Sequence, residues 1–228
     1  MSARVLRLVS VLREGKRWSD IRAVLTRELF PYWVYRSNEM VVVRLDADAV
    51  RPLSRDLANI TVRWAGPADE PSLQQIRPRS ASYVEQMKKG AWCVIGEVDG
   101  KHASFNFYER GERHVSPANG YSFALGAGSV WAYGMEVASP YRLSGIFHKH
   151  WIEGLALLAT RGVRRVYGSV QGDSPLSLNS HKRLGFVPLY RYRIVRVLGL
   201  EWFNARPLDD ARLPASRGFG RWLGCDAQ

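Results

Sequence analysis

The sequence predicts a mixed α/β (α+β) fold built around one large core, and three features carry the prediction. From residue 60 onward, short apolar segments of strand type alternate with amphipathic segments of helix type. Between residues 92 and 109, two such strands flank the pair Asp99-Gly100, which favours a tight antiparallel reversal. The chain has 228 residues, 46% of them apolar, which is enough to bury such a core.

An N-terminal extension of basic amphipathic helices plus a hairpin is predicted for residues 1–58. Apolar residues recur at helical spacing within residues 1–30, with arginines between them. Two β-rich runs lie on either side of Ser37 and Asn38, so the polar pair favours a hairpin turn, with residues 46–58 as a connector. The helices are expected to cover the core, and docking on a membrane surface or a partner is the alternative.

Residues 59–200 are predicted to form the main domain, and residues 201–228 a C-terminal tail without clear periodicity. Residues 110–128 are rich in Gly, Ser and polar residues and predict a long loop, whose length is typical of a binding segment. The other segments predict strands at 60–65, 92–109 (a hairpin), 130–137, 163–170 and 187–199. They also predict four helices: one that begins at Asp69 or Ser72, one at 80–90, one that ends at about Arg161, and one at 174–185.

The charge of the chain favours polyanionic partners. The formal net charge is +12, from 33 Lys and Arg against 21 Asp and Glu. Nucleic acid, anionic lipid, an acidic carrier protein and phosphorylated substrates would all suit it. Nucleic acid is the minority interpretation, because no run of Lys and Arg with interleaved stacking aromatics is present.

A cytoplasmic protein without a metal site is predicted. Cys93 and Cys225 are far apart and belong to no metal-type or redox-type spacing, which favours a reducing compartment. No apolar stretch approaches the roughly 20 residues that span a bilayer, and the first residues lack the apolar core of a signal peptide. Peripheral contact with the inner face of the membrane is the alternative location.

The segment SPYRLSGIFHKHW, residues 139–151, places Arg142, Ser144 and Gly145 where a strand gives way to a helix. The first N–H groups of a helix have no intrahelical partner, and the helix dipole adds partial positive charge, so the turn is a candidate anion site. Gly145 would let the backbone approach a pyrophosphate, and Arg142 would add charge. An ordinary strand-to-helix loop with a surface arginine is the alternative.

The order of parts around this turn resembles the GNAT superfamily of N-acetyltransferases over about residues 60–197. MEVASPYRLSGIF at 135–147 is similar to the acyl-CoA signature Q/R-x-x-G-x-G/A, and SPLSLNSHKRLGF at 174–186 is similar to the second motif, which ends in K/R-L-G-F. The resemblance implies a mostly antiparallel twisted sheet, flanked by helices and splayed between the strands at 130–137 and 163–170. It also implies a co-substrate, acetyl-CoA or another acyl-CoA, bound in that splay.

The resemblance also implies which residues bind the donor. Unpaired backbone groups on a splayed strand can bind a pantetheine amide as a substitute strand. The implied donor contacts are Met135, Glu136 and Val137 for pantetheine, and Arg142, Leu143, Ser144, Gly145, Ile146 and Phe147 for the pyrophosphate. Ser174 and Ser177 stand near positions where the family has an Asn and a Ser, and capping of the helix, with Asp173 as a rival cap, is the alternative. Leu143 and Phe147 are bulkier than the residues that the family has there.

Two side chains are candidates for proton transfer. Glu136 is the only carboxylate in the splayed strand and the candidate base, with a structural ion pair as the alternative. Strand alternation puts it opposite Met135 and Val137, and a bulge would redirect it. By the resemblance, His181 occupies the position of a tyrosine that protonates the leaving thiolate; a solvent-facing helix residue is the alternative.

Tyr133 and Tyr167 are candidates for lining the cleft, with cross-strand packing as the alternative.

Three functions stay open at this point. The first is an acyl-CoA-dependent N-acyltransferase that transfers an acyl group, acetyl first, to a primary amine of a small or sugar-linked acceptor by direct attack. The second keeps the fold but takes the acyl group from an acyl carrier protein or an aminoacyl-tRNA, which would suit the net charge of +12. The third is a non-catalytic binding module, suggested by Phe147 and by the missing tyrosine.

Overall fold

The computed structural model describes residues 35–50, 57, 59–116, 121–142, 144–198, 200–208 and 221–223. The helices predicted for residues 1–30 lie outside the described residues, as does part of the predicted connector and tail. None of the described helices is long and apolar enough to cross a membrane.

Strands and helices alternate along the described chain. The strands are β1 (Tyr35–Asp46), β2 (Ile60–Trp64), β3 (Trp92–Val98), β4 (Lys101–Glu109), β5 (Arg113–Ser116), β6 (Tyr121–Ala124), β7 (Ser129–Val137), β8 (Arg165–Gln171), β9 (Val187–Val197), β10 (Leu200–Pro207) and β11 (Arg221–Leu223). The α-helices are α1 (Glu70–Ile76), α2 (Tyr83–Lys88), α3 (Ile146–Ala159) and α4 (Pro175–Leu184). Short 3₁₀ helices lie at Ala47–Ala49, Pro67–Asp69 and Ser139–Tyr141.

The main sheet has eight strands in the order β10-β9-β1-β8-β7-β4-β3-β2. Neighbouring strands run antiparallel except β7 and β8, which run parallel. A smaller sheet has the order β11-β6-β5. The predicted mixed, mostly antiparallel sheet flanked by helices is therefore confirmed.

The predicted hairpin in the N-terminal extension is wrong, because residues 35–46 form one strand inside the main sheet. β1 pairs with β9 on one side, where Ser37 and Asn38 lie within a continuous ladder, and with β8 on the other. Residues 41–43 are buried on both faces of the sheet. That burial stabilises an interior strand more than a turn at two polar residues would stabilise a hairpin. Residues 35–46 of the predicted extension therefore belong to the main sheet.

Within the predicted C-terminal tail, residues 201–207 form a strand that the lack of sequence periodicity did not predict. Residues 200–207 form β10, which pairs antiparallel with β9 across a turn that includes Leu198 at φ 49°. Phe203 stacks on Tyr192 of β9 with 5.8 Å between ring centroids. This contact covers one face of the hairpin and holds the segment extended.

The predicted long loop at 110–128 contains two strands, β5 and β6, which pair antiparallel. Their alternate residues His114, Ser116, Tyr121 and Phe123 are buried. The segment is therefore a folded cover that packs on the main sheet, rather than an open loop.

The core has two sides. On one face of the main sheet, α3 and α4 contribute Trp151 and Leu184 to the largest apolar cluster. On the other face, α1 and α2 cover β3 and β4 through residues such as Tyr83, whereas the small sheet covers β8 and β9 through residues such as Phe123. Tyr133 of β7 packs against both of these covers. The gap between the two covers therefore lies over β7.

Candidate active site

The main sheet is open between β7 and β8. The two strands pair only over residues 129–132 and 165–168. Beyond these pairs β7 stays paired with β4 and β8 stays paired with β1, while in this fully described region no ladder pair joins residues 133–137 to β8. Backbone groups on the two facing edges are thus left for a ligand, and the predicted splay is confirmed.

A β-bulge in β7 redirects Glu136. Tyr133 and Glu136 oppose residues of β4 that are two apart, so Gly134 and Met135 together face a single residue. Gly134 has a φ of 69°, a value that glycine adopts without strain. The extra residue puts Tyr133 and Glu136 on the same face, under α1 and α2. There Glu136 forms an ion pair with Arg77, which is the alternative role that the sequence leaves open for this carboxylate.

The turn that leads into α3 is only partly open to a ligand. Gly145 is the N-cap of α3 at φ 91°, and a Cβ there would lie 2.8 Å from Leu57 Cδ1, so packing as well as backbone conformation requires glycine. The Ser144 N–H donates to the Tyr141 carbonyl O at 3.0 Å, and the Ile146 N–H donates to Ser144 Oγ at 3.3 Å. The expectation that residues 143–147 present free amides is therefore wrong for these two, since neighbouring groups already accept from them.

Arg142 and Phe147, which lie beside the turn, have different surroundings. The Arg142 side chain is exposed, and its Nε lies 3.5 Å from the Val137 carbonyl O, which is too long to hold the guanidinium firmly. Phe147 packs against the large apolar cluster with its ring centroid 5.2 Å from that of His181. The bulk of Phe147 is therefore directed between α3 and α4. Leu143 lies outside the described residues.

His181 lies on α4 and packs against α3. Its Nδ1–H donates to the Ser177 carbonyl O at 2.7 Å, and its ring packs edge-on against Phe147 and Phe186. Burial lowers the pKa of His181, so the imidazole is neutral at pH 7 and the predicted donation from an imidazolium is disfavoured. Glu136 lies on the opposite face of the sheet, so the fold does not bring the two predicted catalytic residues together.

Ser174, and not Asp173, holds the N-cap position of α4. Ser174 holds the N-cap position, and its carbonyl accepts the Leu178 N–H at 3.0 Å, but its hydroxyl makes no capping hydrogen bond. Ser177 lies in the first turn of α4, where its carbonyl accepts from His181. The Ser174 hydroxyl is therefore not used by the helix.

A cavity of about 320 Å³ opens where β7 and β8 part. Tyr133 and Ser169, the first residues beyond the last β7–β8 pair, both line it. Aromatic side chains, among them Trp131 and Tyr192, form its walls. Tyr167, the other tyrosine considered for the cleft, is buried and packs 5.2 Å from Phe123 between ring centroids.

A second cavity of about 460 Å³ adjoins the first. Glu109 and Tyr133 line both cavities, and Gln86, Lys89 and Arg110 line the second one only. The Tyr133 hydroxyl donates to Gln86 Oε1 at 3.3 Å, and burial raises the pKa of Tyr133 to about 12. This hydroxyl therefore stays protonated at neutral pH and acts as a hydrogen-bonding group between the cavities.

Sequence reasoning missed the titratable pair that lines the smaller cavity, Glu109 and His114. Glu109 Oε2 lies 2.6 Å from His114 Nδ1, and the His114 ring stacks on Trp131 with 4.2 Å between centroids and 5° between planes. The sequence signal for this pair is weak, because a Glu and a His five residues apart form no recognisable motif and His114 lies within the predicted binding loop. The described residues bring together no group of three or more His, Cys, Asp and Glu that could hold a metal ion.

Comparison with known proteins shows similarity of fold. No protein-family profile and no curated protein matches the sequence. A GCN5-related glucosamine N-acetyltransferase region of a fungal multi-domain GH3 β-N-acetylglucosaminidase superposes with a TM-score of 0.52 at 17% identity, over 79% of this chain and 23% of that one.

Two bacterial structures are similar to the chain at lower scores. An acetyltransferase assigned to the GNAT family from Novosphingobium aromaticivorans has a TM-score of 0.48 at 16% identity, over 70% of this chain and 63% of that one. A GCN5-related N-acetyltransferase from Sphaerobacter thermophilus has a TM-score of 0.49 at 17% identity, over 85% of this chain and 57% of that one. The chain thus spans less than two thirds of the length of either bacterial protein.

Proposed function

Starting from the GNAT fold of this chain, we propose that the protein is an N-acyltransferase that moves an acyl group, acetyl first, from an acyl-CoA to a primary amine. A small or sugar-linked amine is the acceptor, as in the fungal region whose name specifies glucosamine. One observation carries the proposal: the opening between β7 and β8 leads into the cavity of about 320 Å³. A donor in the opening and an acceptor in the cavity would meet at Tyr133 and Ser169.

The residues around the opening fit an acyl-CoA. The edge of β7 that faces β8 has no ladder partner over Met135, Glu136 and Val137, and it would pair with the amides of the pantetheine arm in the manner of an added strand. The exposed guanidinium of Arg142 and the turn at Gly145 would hold the diphosphate. When bound, the thioester supplies an activated acyl carbon. The chain contributes alignment of donor and acceptor, since held reactants gain much of their rate from proximity.

A second candidate keeps the opening but changes the carrier of the acyl group. The net charge of +12 favours an acidic acyl carrier protein as the donor. The phosphopantetheine arm of such a carrier has the same amides as CoA and would use the same edge of β7. Arg142 would then contact the carrier protein instead of a diphosphate.

Thermal unfolding with and without CoA tests the proposal. A ligand at 100 times its Kd stabilises the folded state by about 2.7 kcal/mol, so CoA is expected to raise Tm by several degrees. Arg142→Ala is expected to lose much of this shift. Arg164→Ala is the matched control, because Arg164 is also exposed but precedes the paired end of β8.

The transfer itself is tested by measuring the free thiol released from acetyl-CoA in the presence of amines. A rise in Tm with acyl carrier protein but none with CoA would favour the second candidate. The absence of any shift and any thiol release with either donor would refute the proposal.

A further inference from the structure

Glu109 and His114 form a pair that the donor site does not use. Glu109 ends β4, where it opposes Trp131 of β7, and His114 lies on β5 in the small sheet. The short connection between the two strands, residues 110–112, brings the carboxylate and the imidazole to 2.6 Å. The pair therefore bridges the main sheet and its cover at the rim of the cavity.

The hydrogen bond to Glu109 determines which ring nitrogen of a neutral His114 carries the proton. Glu109 is an acceptor when ionised, so the hydrogen bond at 2.6 Å places a proton on His114 Nδ1. In the neutral imidazole Nε2 then carries the lone pair. The stack on Trp131 at 4.2 Å holds the ring plane, so both the tautomer and the orientation of the ring are set.

The same pair faces the place where donor and acceptor would meet. His114, Glu109 and Trp131 line the cavity of about 320 Å³ together with Tyr133 and Ser169, the two residues at the mouth of the splay. His114 is 9% exposed, so it is largely removed from bulk water while still bordering the cavity. A base in this position is sheltered from solvent and close to the acceptor.

The walls of the cavity indicate what kind of amine it takes. Besides Trp131 and Tyr133, the rings of Tyr121 and Tyr192 and the thioether of Met40 line it. The Tyr192 hydroxyl donates to that of Tyr121 at 3.0 Å, so these two hydroxyl groups bond to each other. Apolar and aromatic walls of this kind suit a flat or ring-bearing skeleton better than a flexible polar chain.

We propose that His114, oriented by Glu109, is the general base for a primary amine on a ring-bearing skeleton bound in this cavity. The inference rests on the proposed function. The amine lone pair attacks the thioester carbon, a C–N bond forms, and the N–H proton passes to His114 Nε2. The C–S bond breaks with its electron pair on sulfur, the thiolate takes a proton from water, and His114 returns its proton to solvent. The Glu109 carboxylate stabilises the imidazolium that forms in between.

The test measures thiol release from acetyl-CoA with phenethylamine, glucosamine and spermidine as acceptors. Wild type is expected to prefer the ring-bearing amines to spermidine. His114→Gln is expected to lose about 10²–10⁴-fold in kcat, with a smaller loss for Glu109→Gln, which removes the charge but keeps the size. His102→Gln is the matched control: His102 Nε2 lies 3.2 Å from Glu97 Oε1, so it is also paired with a carboxylate, but it lies away from both cavities.

Two further measurements separate the possible failures. The CoA-dependent Tm shift of wild type tests the proposed function first, and its retention in His114→Gln shows that the variant is folded with an intact donor site. Ring ¹⁵N NMR of the wild-type protein, assigned by the signal lost in His114→Gln, reads the tautomer independently of activity; protonation at Nδ1 is expected.

Several results would overturn the inference while leaving the proposed function intact. These are a kcat for His114→Gln close to that of wild type, a neutral His114 protonated at Nε2, or spermidine as the preferred acceptor. A large loss in Glu136→Gln without one in His114→Gln would instead assign the base to β7.

Discussion

Acidification from pH 7 to pH 5 is expected to destabilise the protein through the buried histidine of α3. His150 is fully buried, with Nδ1 2.8 Å from Ser104 Oγ, and burial lowers its pKa to about 3. An unfolded histidine has a pKa of about 6.5, so between pH 6.5 and about 3 the unfolded chain binds a proton that the folded chain does not. Stability is therefore complete above the unfolded pKa and is lost as the pH falls through this window.

The size of the loss in stability depends on how far the pH falls below the pKa of the unfolded histidine. Each pH unit below the unfolded pKa costs about 1.4 kcal/mol, so pH 5 lies about 1.5 units into the window and the loss is about 2 kcal/mol. Urea unfolding followed by tryptophan fluorescence at pH 7 and pH 5 measures it. In His150→Gln, which cannot titrate, the loss between the two pH values is expected to be about 2 kcal/mol smaller than in wild type.

Ser104→Ala provides the control for this experiment. It removes the hydroxyl that contacts His150 but keeps the buried imidazole, so the pH-dependent loss should persist even if the protein is less stable at both pH values. His148 and His181, whose pKa values burial also lowers, titrate equally in wild type and variant and cancel in the comparison. Equal pH-dependent losses in wild type and His150→Gln would refute the assignment of the effect to this residue.

Two further substitutions test the backbone and the charge network. Gly145→Ala forces a side chain into a residue at φ 91° and against Leu57, which should cost about 1–2 kcal/mol and lower Tm by about 2–8 °C in calorimetry; an unchanged Tm would contradict that geometry. Asp69→Asn removes the charge that accepts from Arg63 at 2.8 and 3.0 Å and from the Gly66 N–H at 2.8 Å, so urea unfolding at pH 7 should show a loss of about 2 kcal/mol. Arg63 lowers the pKa of Asp69, so the difference in stability between wild type and Asp69→Asn should shrink as the pH falls through the pKa of Asp69 in the folded protein. A difference that stays constant with pH would contradict this role of the Asp69 charge.

Features that depend on near neighbours in the chain were predictable. Asp99 and Gly100 adopt φ 51° and 73° and make the tight reversal that their residue types favour. The helix that follows the turn of the first motif ends at Ala159, and the helix within the second motif runs over Pro175–Leu184, within about two residues of the predicted ends. Gly145 stands where a glycine was expected, although packing against Leu57 explains it as well as a ligand does.

Features that depend on long-range pairing were not predictable. Ser37 and Asn38 read as a turn because only neighbours in the chain inform that prediction, whereas β8 and β9 lie more than 120 residues away. The bulge that turns Glu136 toward Arg77 depends on the register between β7 and β4, and Gly134 alone does not reveal it. The opening between β7 and β8 also depends on long-range pairing, but it was predictable because the resemblance to the GNAT superfamily implies it.

The sequence by itself determined the class of fold, the motif that ends β7 and the helix that follows it, because each follows from residue types within one or two turns of chain. Only the tertiary structure decided which face Glu136 occupies, that His181 packs against Phe147 and Phe186, and that Glu109 and His114 meet over Trp131. The physical reason is that distances between side chains on different strands depend on register and on the packing of one layer on another. A shift of one residue moves a side chain to the other face of a sheet, and nothing in the local sequence records that choice.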